Sequence, residues 1–265
     1  MLLKEKYGQT ALVAGASEGI GAAFSSYLAA AGMDLVLIAR RSGPLEKLAS
    51  SLINKYHINV LTVCCDLSEP GAARYIKNTV RNKEINVLVY NAALSHIGPF
   101  ENDTEEHNIQ IAYTNMITPM TLVRMFGETM IHKGRGSVIL MASLAGFQGS
   151  GFLTAYAATK AFNRVLAESL WYEWKNRGID VIACCPGATA TENYIRTNPE
   201  KSGFFTPRIQ SPEEVVEDCF KQLGKKPSFV SGRGNKLANF VMQKLLSRKK
   251  AIKIMSDATR KRYRL

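Results

Sequence analysis

Tyr156 and Lys160 stand four residues apart in the run Tyr156-Ala-Ala-Thr-Lys160, just after a glycine-rich segment. On a helix of about 3.6 residues per turn, that spacing puts both side chains on one face, one turn apart. An ammonium beside a phenol favours the phenolate and lowers the tyrosine pKa from its reference of about 10. A tyrosine so placed can move protons near neutral pH. The pair alone is weak evidence, because many solvated helix faces carry Tyr and Lys at this spacing. Its meaning depends on what the rest of the chain brings to it.

A second constellation lies near the amino terminus. Gly15, Gly19 and Gly21 form a Gly-x-x-x-Gly-x-Gly turn, with Ser17, Glu18 and Ile20 between them. It joins a short buried strand, 10–14, to a helix over about 20–31. Glycines there let the backbone approach a pyrophosphate, which then rests on the helix N-terminus. About 20 residues further on, NAD-binding folds place an acid on the ribose hydroxyls. Here the second strand ends in Ile38-Ala39-Arg40-Arg41, with two arginines and no acid. A guanidinium can clamp a 2′-phosphate, so the pair favours NADP(H) over NAD(H); the alternative is two solvated surface arginines. Asp66, followed by Leu67, is placed to accept from an adenine amino group or to cap the next helix.

The elements that carry these residues alternate regularly. Apolar runs at 10–14, 34–39, 59–65, 86–90, 137–142 and 180–184 read as strands. Helical patterns at about 20–31, 45–56, 72–82, 104–132 and 155–177 separate them. Continuous apolar strands between helices indicate a doubly wound parallel α/β sheet covered on both faces. The rhythm is lost past Pro186. Residues 188–211 read as a loop or lid, Ser211 with Glu214 forms a capping box for one more helix, and 229–231 suits a last strand.

In chain order stand the glycine turn, Asn91-Ala92-Ala93, Asn115, Ser143 and Tyr156/Lys160. Over about residues 8–190 this series resembles the short-chain dehydrogenase/reductase family, of its NADP(H)-preferring type. The resemblance implies one Rossmann-like domain over 1–243, with a basic tail over 244–265. It implies that Tyr156 exchanges a proton with a carbonyl or alcohol oxygen, and that Lys160 lowers its pKa and holds the nicotinamide ribose. Ser143 would hydrogen-bond the reacting oxygen. Asn115 would kink its helix and hold a water. Asn91, Ala92 and Ala93 would border the cofactor. Pro186-Gly187 would form the nicotinamide-side turn, with Thr189 or Thr191 reaching the amide or pyrophosphate. Two positions depart from the family pattern. Ala14 stands where Thr is common, and Ala93 where Gly is common. A lost supporting hydroxyl typically costs about 1 kcal/mol.

The segments expected to face a substrate are mostly apolar or small. Ser95, Phe147, Phe152, Leu153, Tyr194 and Phe204 are the candidates. They suggest a lipophilic substrate such as a steroid, an acyl chain or a small ketone or aldehyde. A sensor or scaffold that binds NADP(H) without turnover is the alternative. A homodimer or homotetramer would use apolar residues of the long and catalytic helices, including Met116, Met120, Val123, Phe162, Val165, Leu166 and Trp171.

Composition sets the remaining bounds. With 265 residues and 46% apolar content the chain suits one large domain. The start, Met1–Lys6, lacks an apolar signal core, and the five cysteines read as core hydrophobes of a reduced, cytoplasmic protein. The four histidines are scattered and suggest no metal cluster. After Gln243, nine cations face Asp257 alone, a net +8 of the +12 total, which leaves about +4 for everything before. Such a tail can lie on an anionic membrane surface, cover the lid, dock on a second subunit or be a solvated end. No nucleic-acid motif accompanies the charge, so nucleic acid is not an expected partner.

Overall fold

The computed structural model describes residues 3–200 and 208–265. In chain order the elements are α1 (Leu3–Tyr7), β1 (Thr10–Ala14), α2 (Gly19–Ala30), β2 (Asp34–Ala39), α3 (Ser42–Tyr56), β3 (Val60–Cys64) and α4 (Ala72–Thr79). There follow β4 (Val87–Tyr90), α5 (Glu105–Ala112), α6 (Thr118–Lys133), β5 (Gly136–Met141), α7 (Thr154–Trp174) and β6 (Ile179–Cys185). The chain ends with α8 (Glu192–Arg196), α9 (Pro212–Gln222), β7 (Ser228–Val230), α10 (Arg233–Phe240) and α11 (Arg248–Tyr263).

The seven strands form one sheet, all parallel, in the order β3-β2-β1-β4-β5-β6-β7. Chain order reverses between β1 and β4, which opens a crevice beyond their carboxyl ends. Both faces are covered, as the continuous apolar strands require. Phe24, Leu28, Leu45, Leu52, Val215 and Val216 build one apolar layer with α2, α3 and α9. Ile76, Leu122, Phe126, Ala167 and Trp174 build the other with α4, α6 and α7.

The expected long helix over 104–132 is present, with an irregularity inside it. A π-helical turn, Tyr113–Ile117, separates α5 from α6 and carries Asn115. The widened turn is stabilised from the sheet, because Tyr90 Oη donates to the Thr114 carbonyl at 2.6 Å. The expected capping box at Ser211 and Glu214 is present. The lid region is partly regular: Thr189 bridges to Gln210, and α8 follows. Phe204 lies outside the described residues.

The tail is a docked helix. Arg248 donates to the Phe147 carbonyl at 2.7 Å, and the Gly151 amide donates to Ser256 Oγ at 2.8 Å. Ala251 and Thr259 are buried on the same side. The tail also meets the lid region, where the Glu200 amide donates to the Arg262 carbonyl at 2.9 Å, and most of its cations are exposed. No helix among the described residues is long and apolar enough to cross a membrane. Of the cysteines, Cys184, Cys185 and Cys219 are buried as expected. Cys64 is exposed and Cys65 lines the cleft described next.

Candidate active site

The crevice at the carboxyl edge is a cleft of about 430 Å³. The glycine turn forms one end of it. Gly15 and Gly19 both have positive φ, 77° and 56°, which disfavours any side chain. A Cβ on Gly15 would lie 2.7 Å from the Ala92 backbone, and one on Gly19 would lie 2.8 Å from Thr191 Cγ2. Gly21 is not on the cleft wall; a Cβ there would be driven into the Gly15 carbonyl oxygen. Asn91 Nδ2 donates to that same carbonyl at 2.9 Å, which ties the turn to the end of β4. The first turn of α2 has no acid and no side-chain cap, so its amide groups remain available to an anion.

The arginines divide their tasks. Arg41 is committed to Glu18 at 2.6 Å, and Glu18 also receives Arg196 at 3.0 Å. Arg40 is loosely paired with Asp66 at 3.6 Å, and its side chain is 66% exposed. Arg40 therefore presents its guanidinium to the cleft. Asp66 is not a helix cap: it accepts from the amide and hydroxyl of Ser68 at 2.9 and 2.7 Å. Burial pushes its carboxyl up, but the Ser68 bonds and then Arg40 outweigh this and hold it below the ordinary value. Arg196, Asn193, Met141 and Ala142 also line the cleft and were not singled out in the sequence. Glu18 as an arginine partner was the available signal for Arg196, but the two are 178 residues apart.

At the other end stand Ser143, Tyr156 and Lys160. Ser143 Oγ accepts from the Ala145 amide at 3.2 Å and is hydrogen-bonded to Tyr156. Lys160 is buried, and its Nζ donates to the Met141 carbonyl at 2.7 Å. Burial lowers its pKa from 10.5 to about 8. Tyr156 corrects the sequence expectation. Its phenol is raised, because burial outweighs the Ser143 hydrogen bond and Tyr263 adds to the rise. Lys160 does not oppose this, since its ammonium points to Met141 and lies 5.5 Å from the Tyr156 ring centroid.

Asn115 is buried and holds this end together. Its Oδ1 accepts from the Leu94 amide at 2.9 Å, and its Nδ2 donates to the Leu94 carbonyl at 2.8 Å and to Thr159 Oγ1 at 2.9 Å. It thus joins the loop after β4 to α7. Ala93 sits in that loop on the cleft wall without positive φ, so the missing glycine causes no backbone strain. Pro186 and Thr191 line the cleft, whereas Gly187 and Thr189 do not. Thr189 is buried, and its hydroxyl donates to the Gly187 carbonyl at 3.2 Å.

The substrate side differs more from expectation. Phe147 packs against the core with Arg164 over its ring at 4.7 Å, so it supports the loop and does not face the cleft. Phe152 adopts φ 65°, and its carbonyl accepts from the Gly98 amide at 3.0 Å. Ser95 is exposed on the loop rim, and Leu153 begins α7. Tyr194 lies beside Tyr263, which is hydrogen-bonded to Thr197 and reaches the surroundings of Tyr156. Tyr263 comes from the tail and has no sequence signal.

Residues 9–202 match the family model for short chain dehydrogenase, and the chain belongs to that family. Its oxidoreductases use a nicotinamide cofactor to interconvert carbonyl and alcohol groups. Over 238 residues the chain is 32% identical to the 7beta-hydroxysteroid dehydrogenase of Mediterraneibacter gnavus, covering 89% of this chain and 90% of that one. A solved 7beta-hydroxysteroid dehydrogenase, studied for its stereoselectivity, superposes with TM-score 0.90 at 28% identity, over 96% of this chain and 99% of that one. A short-chain dehydrogenase from Sphingobium yanoikuyae in complex with NADPH superposes with TM-score 0.75 at 28% identity, over 84% and 87%.

Proposed function

We propose, with a short-chain dehydrogenase as the premise, that this chain uses NADP(H) to interconvert a lipophilic ketone or aldehyde and its alcohol. The observation that carries the cofactor choice is Arg40, exposed at the end of β2 where an NAD-type site needs an acid. The neighbour from Sphingobium was solved with NADPH, which agrees with that choice. The cleft suits the whole group. Gly15, Gly19 and the open first turn of α2 would hold the pyrophosphate, Arg40 the 2′-phosphate, and Asp66 with Leu67 the adenine. Asn91, Tyr156 and Lys160 would hold the nicotinamide half, with Pro186 and Thr191 at its amide. When bound, the nicotinamide supplies hydride in reduction and accepts it in oxidation.

The chain's own groups manage the reacting oxygen. The Ala145 amide occupies a lone pair of Ser143 Oγ, and the Ser143 hydroxyl, now hydrogen-bonded to Tyr156, would turn to a substrate oxygen placed between them. A substrate carbonyl oxygen accepts from Ser143 and receives the proton of Tyr156 as charge builds on it. A phenol held above its ordinary value is protonated at neutral pH, so reduction is favoured there and oxidation at alkaline pH. Lys160, at about 8, is cationic at neutral pH; held on the Met141 carbonyl, it would bind the nicotinamide ribose rather than the phenolate.

The substrate wall is formed by Leu94, Ser95, Phe152, Leu153, Tyr194 and Tyr263. Its apolar and phenolic surface suits a steroid-sized or acyl substrate better than a sugar, and the 7beta-hydroxysteroid dehydrogenase relatives fit that class. A two-fold assembly through α6 and α7 belongs to the same reading, because Met120 and Val165 remain exposed there while Val123 is buried.

Calorimetric titration with NADPH and separately with NADH tests the cofactor choice. Tighter NADPH binding, lost in Arg40→Ala, is the expected result. Tighter NADH binding overturns the arginine clamp and leaves the oxidoreductase standing. Absence of binding to either overturns both.

A further inference from the structure

His96, Asp103 and His107 are separated by six and three residues, which is no familiar metal spacing. Folding nevertheless brings them together outside the cleft. His96 follows the loop that leaves β4, Asp103 ends a single turn over Phe100–Asn102, and His107 lies in the first turn of α5. One ligand atom from each lies within 4.8 Å of the other two. His107 Nδ1 is 2.7 Å from Asp103 Oδ1, and His96 Nδ1 is 3.7 Å from it. Ligand bonds of about 2.0–2.1 Å in a tetrahedron place ligand atoms roughly 3.3 Å apart. Small side-chain rotations bring the three to that separation.

Two independent features point to a ligand. First, Asp103 Oδ2 is buried without a hydrogen-bond partner, on a side chain only 6% exposed. A buried carboxylate oxygen left unpaired is unfavourable, and neither the Thr104 amide nor His107 answers it, since both bond Oδ1. Second, His96 Nε2 lies 3.2 Å from the Pro99 carbonyl. A carbonyl only accepts, so this contact is a hydrogen bond when Nε2 carries the proton, and the tautomer with its single proton there leaves the Nδ1 lone pair on the side of Asp103. At 3.7 Å that pair makes no hydrogen bond. Holding the outer nitrogen on a backbone carbonyl is how a histidine is oriented for a metal.

We propose that His96, Asp103 and His107 bind one divalent transition-metal ion of the zinc class. Two imidazoles and one carboxylate suit such ions rather than calcium or magnesium. The histidine side chains are 26% and 32% exposed, which leaves an entry path and a fourth coordination position for water. The ion takes up the orphaned oxygen of Asp103. It also ties the loop after β4 to α5. Asn115 pins that loop at Leu94, and the metal pins it again two residues later, so the substrate-side rim is held at both points.

Titration of tag-free, reduced protein with cobalt(II), followed by visible absorption, tests the site. The expected result is saturation at a single equivalent with the strong visible bands of tetrahedral cobalt. The double variant His96→Gln/His107→Gln should weaken binding more than about 100-fold, beyond the 10- to 100-fold typical of losing a group that only orients a ligand. His57→Gln/His132→Gln should leave it unchanged. Circular dichroism checks that each variant folds. Asp103→Asn is the second probe: it keeps the Oδ1 acceptor for the Thr104 amide, removes the charge, and should still weaken cobalt binding. Zinc should raise the melting temperature of the wild type and not that of the double variant. The proposal is overturned by a wild type without saturable visible bands. Bands that persist in the double variant, or that carry an intense near-ultraviolet thiolate absorption from Cys64 or Cys65, overturn it equally.

Discussion

On the function proposed above, the cleft has a cofactor wall and a substrate wall, built on different principles. The cofactor wall is set by sheet register. Ile38, Ala14, Tyr90, Leu140 and Ala183 pair across five parallel strands in one row. Arg40, Gly15, Asn91, Ser143 and Pro186 follow that row by one to three residues each. The substrate wall has no such frame. The loop 144–153 is held by Arg248 on Phe147, Gln243 on Gln148 and Ser256 on Gly151, across 95 to 105 residues of chain. Sheet ladders fix the first wall; the second is fixed by contacts from the segment after β7 and by single backbone bonds such as Gly98 to Phe152 and Leu144 to Pro186.

Tyr156 is where the walls meet, and removing its hydroxyl gives the largest expected effect. Tyr156→Phe should lower kcat by about 10²–10⁴, the usual contribution of a positioned acid, with NADPH affinity nearly unchanged. Full activity in that variant would show that neither wall serves a tyrosine-based reaction.

The same substitution in the support of each wall, behind the glycine turn and in loop 144–153, separates the principles directly. Gly21→Ala must force a methyl group into the Gly15 carbonyl oxygen, so it should cost several kcal/mol and abolish cofactor binding. Gly149→Ala meets only Ile252, at 3.6–3.9 Å, an ordinary contact. It should change stability by less than about 0.5 kcal/mol. Comparable losses in the two variants, measured by denaturant unfolding, would mean that the substrate wall is as tightly framed as the sheet edge.

Lys160 sharpens the energetics of the cofactor wall. Its cation is buried and held at about 8 against an ordinary 10.5. The unfolded chain therefore binds more protons than the folded one between these values, and stability from this group rises as pH climbs from about 8 toward 10.5. Below that window the charged, buried lysine is unfavourable by on the order of 3 kcal/mol. Lys160→Met should abolish turnover yet raise stability at pH 7, and the gain should vanish near pH 10.5. A gain independent of pH would remove the buried cation as its cause.

The contrast between walls also marks what the sequence discloses. The sheet, the glycine turn, the Ser211 capping box and Ser143, Tyr156 and Lys160 all rest on local patterns: apolar runs, turn residues and helical spacing. Asn115 was legible as a kink, although the π-helical turn around it depends on Tyr90 reaching across from the sheet. Phe147 was misread because an aromatic in a glycine-rich loop looks alike whether it faces a cleft or a core. Arg196, Tyr263 and the His96–Asp103–His107 cluster were hidden because tertiary folding alone makes them neighbours. The direction of the Tyr156 shift was hidden too. Spacing gives proximity to Lys160, but burial and the hydrogen bond of Lys160 to Met141 decide the sign.

The smallest effect tests whether the substrate wall tunes the chemistry. Tyr263, carried by α11, raises the Tyr156 phenol, although burial is the larger cause. Tyr263→Phe removes that contribution and keeps the ring, so the tail should still pack. The Tyr156 pKa should then fall. Reduction needs the protonated phenol, so its alkaline limb should move to lower pH. Oxidation needs the deprotonated one, so its acid limb should move the same way. Parallel movement of both limbs in pH–rate profiles, with KM for substrate little changed, would show that α11 reaches the proton donor as well as covering the substrate. Unmoved limbs with a raised KM would confine α11 to shaping the pocket, and the two walls would then act independently.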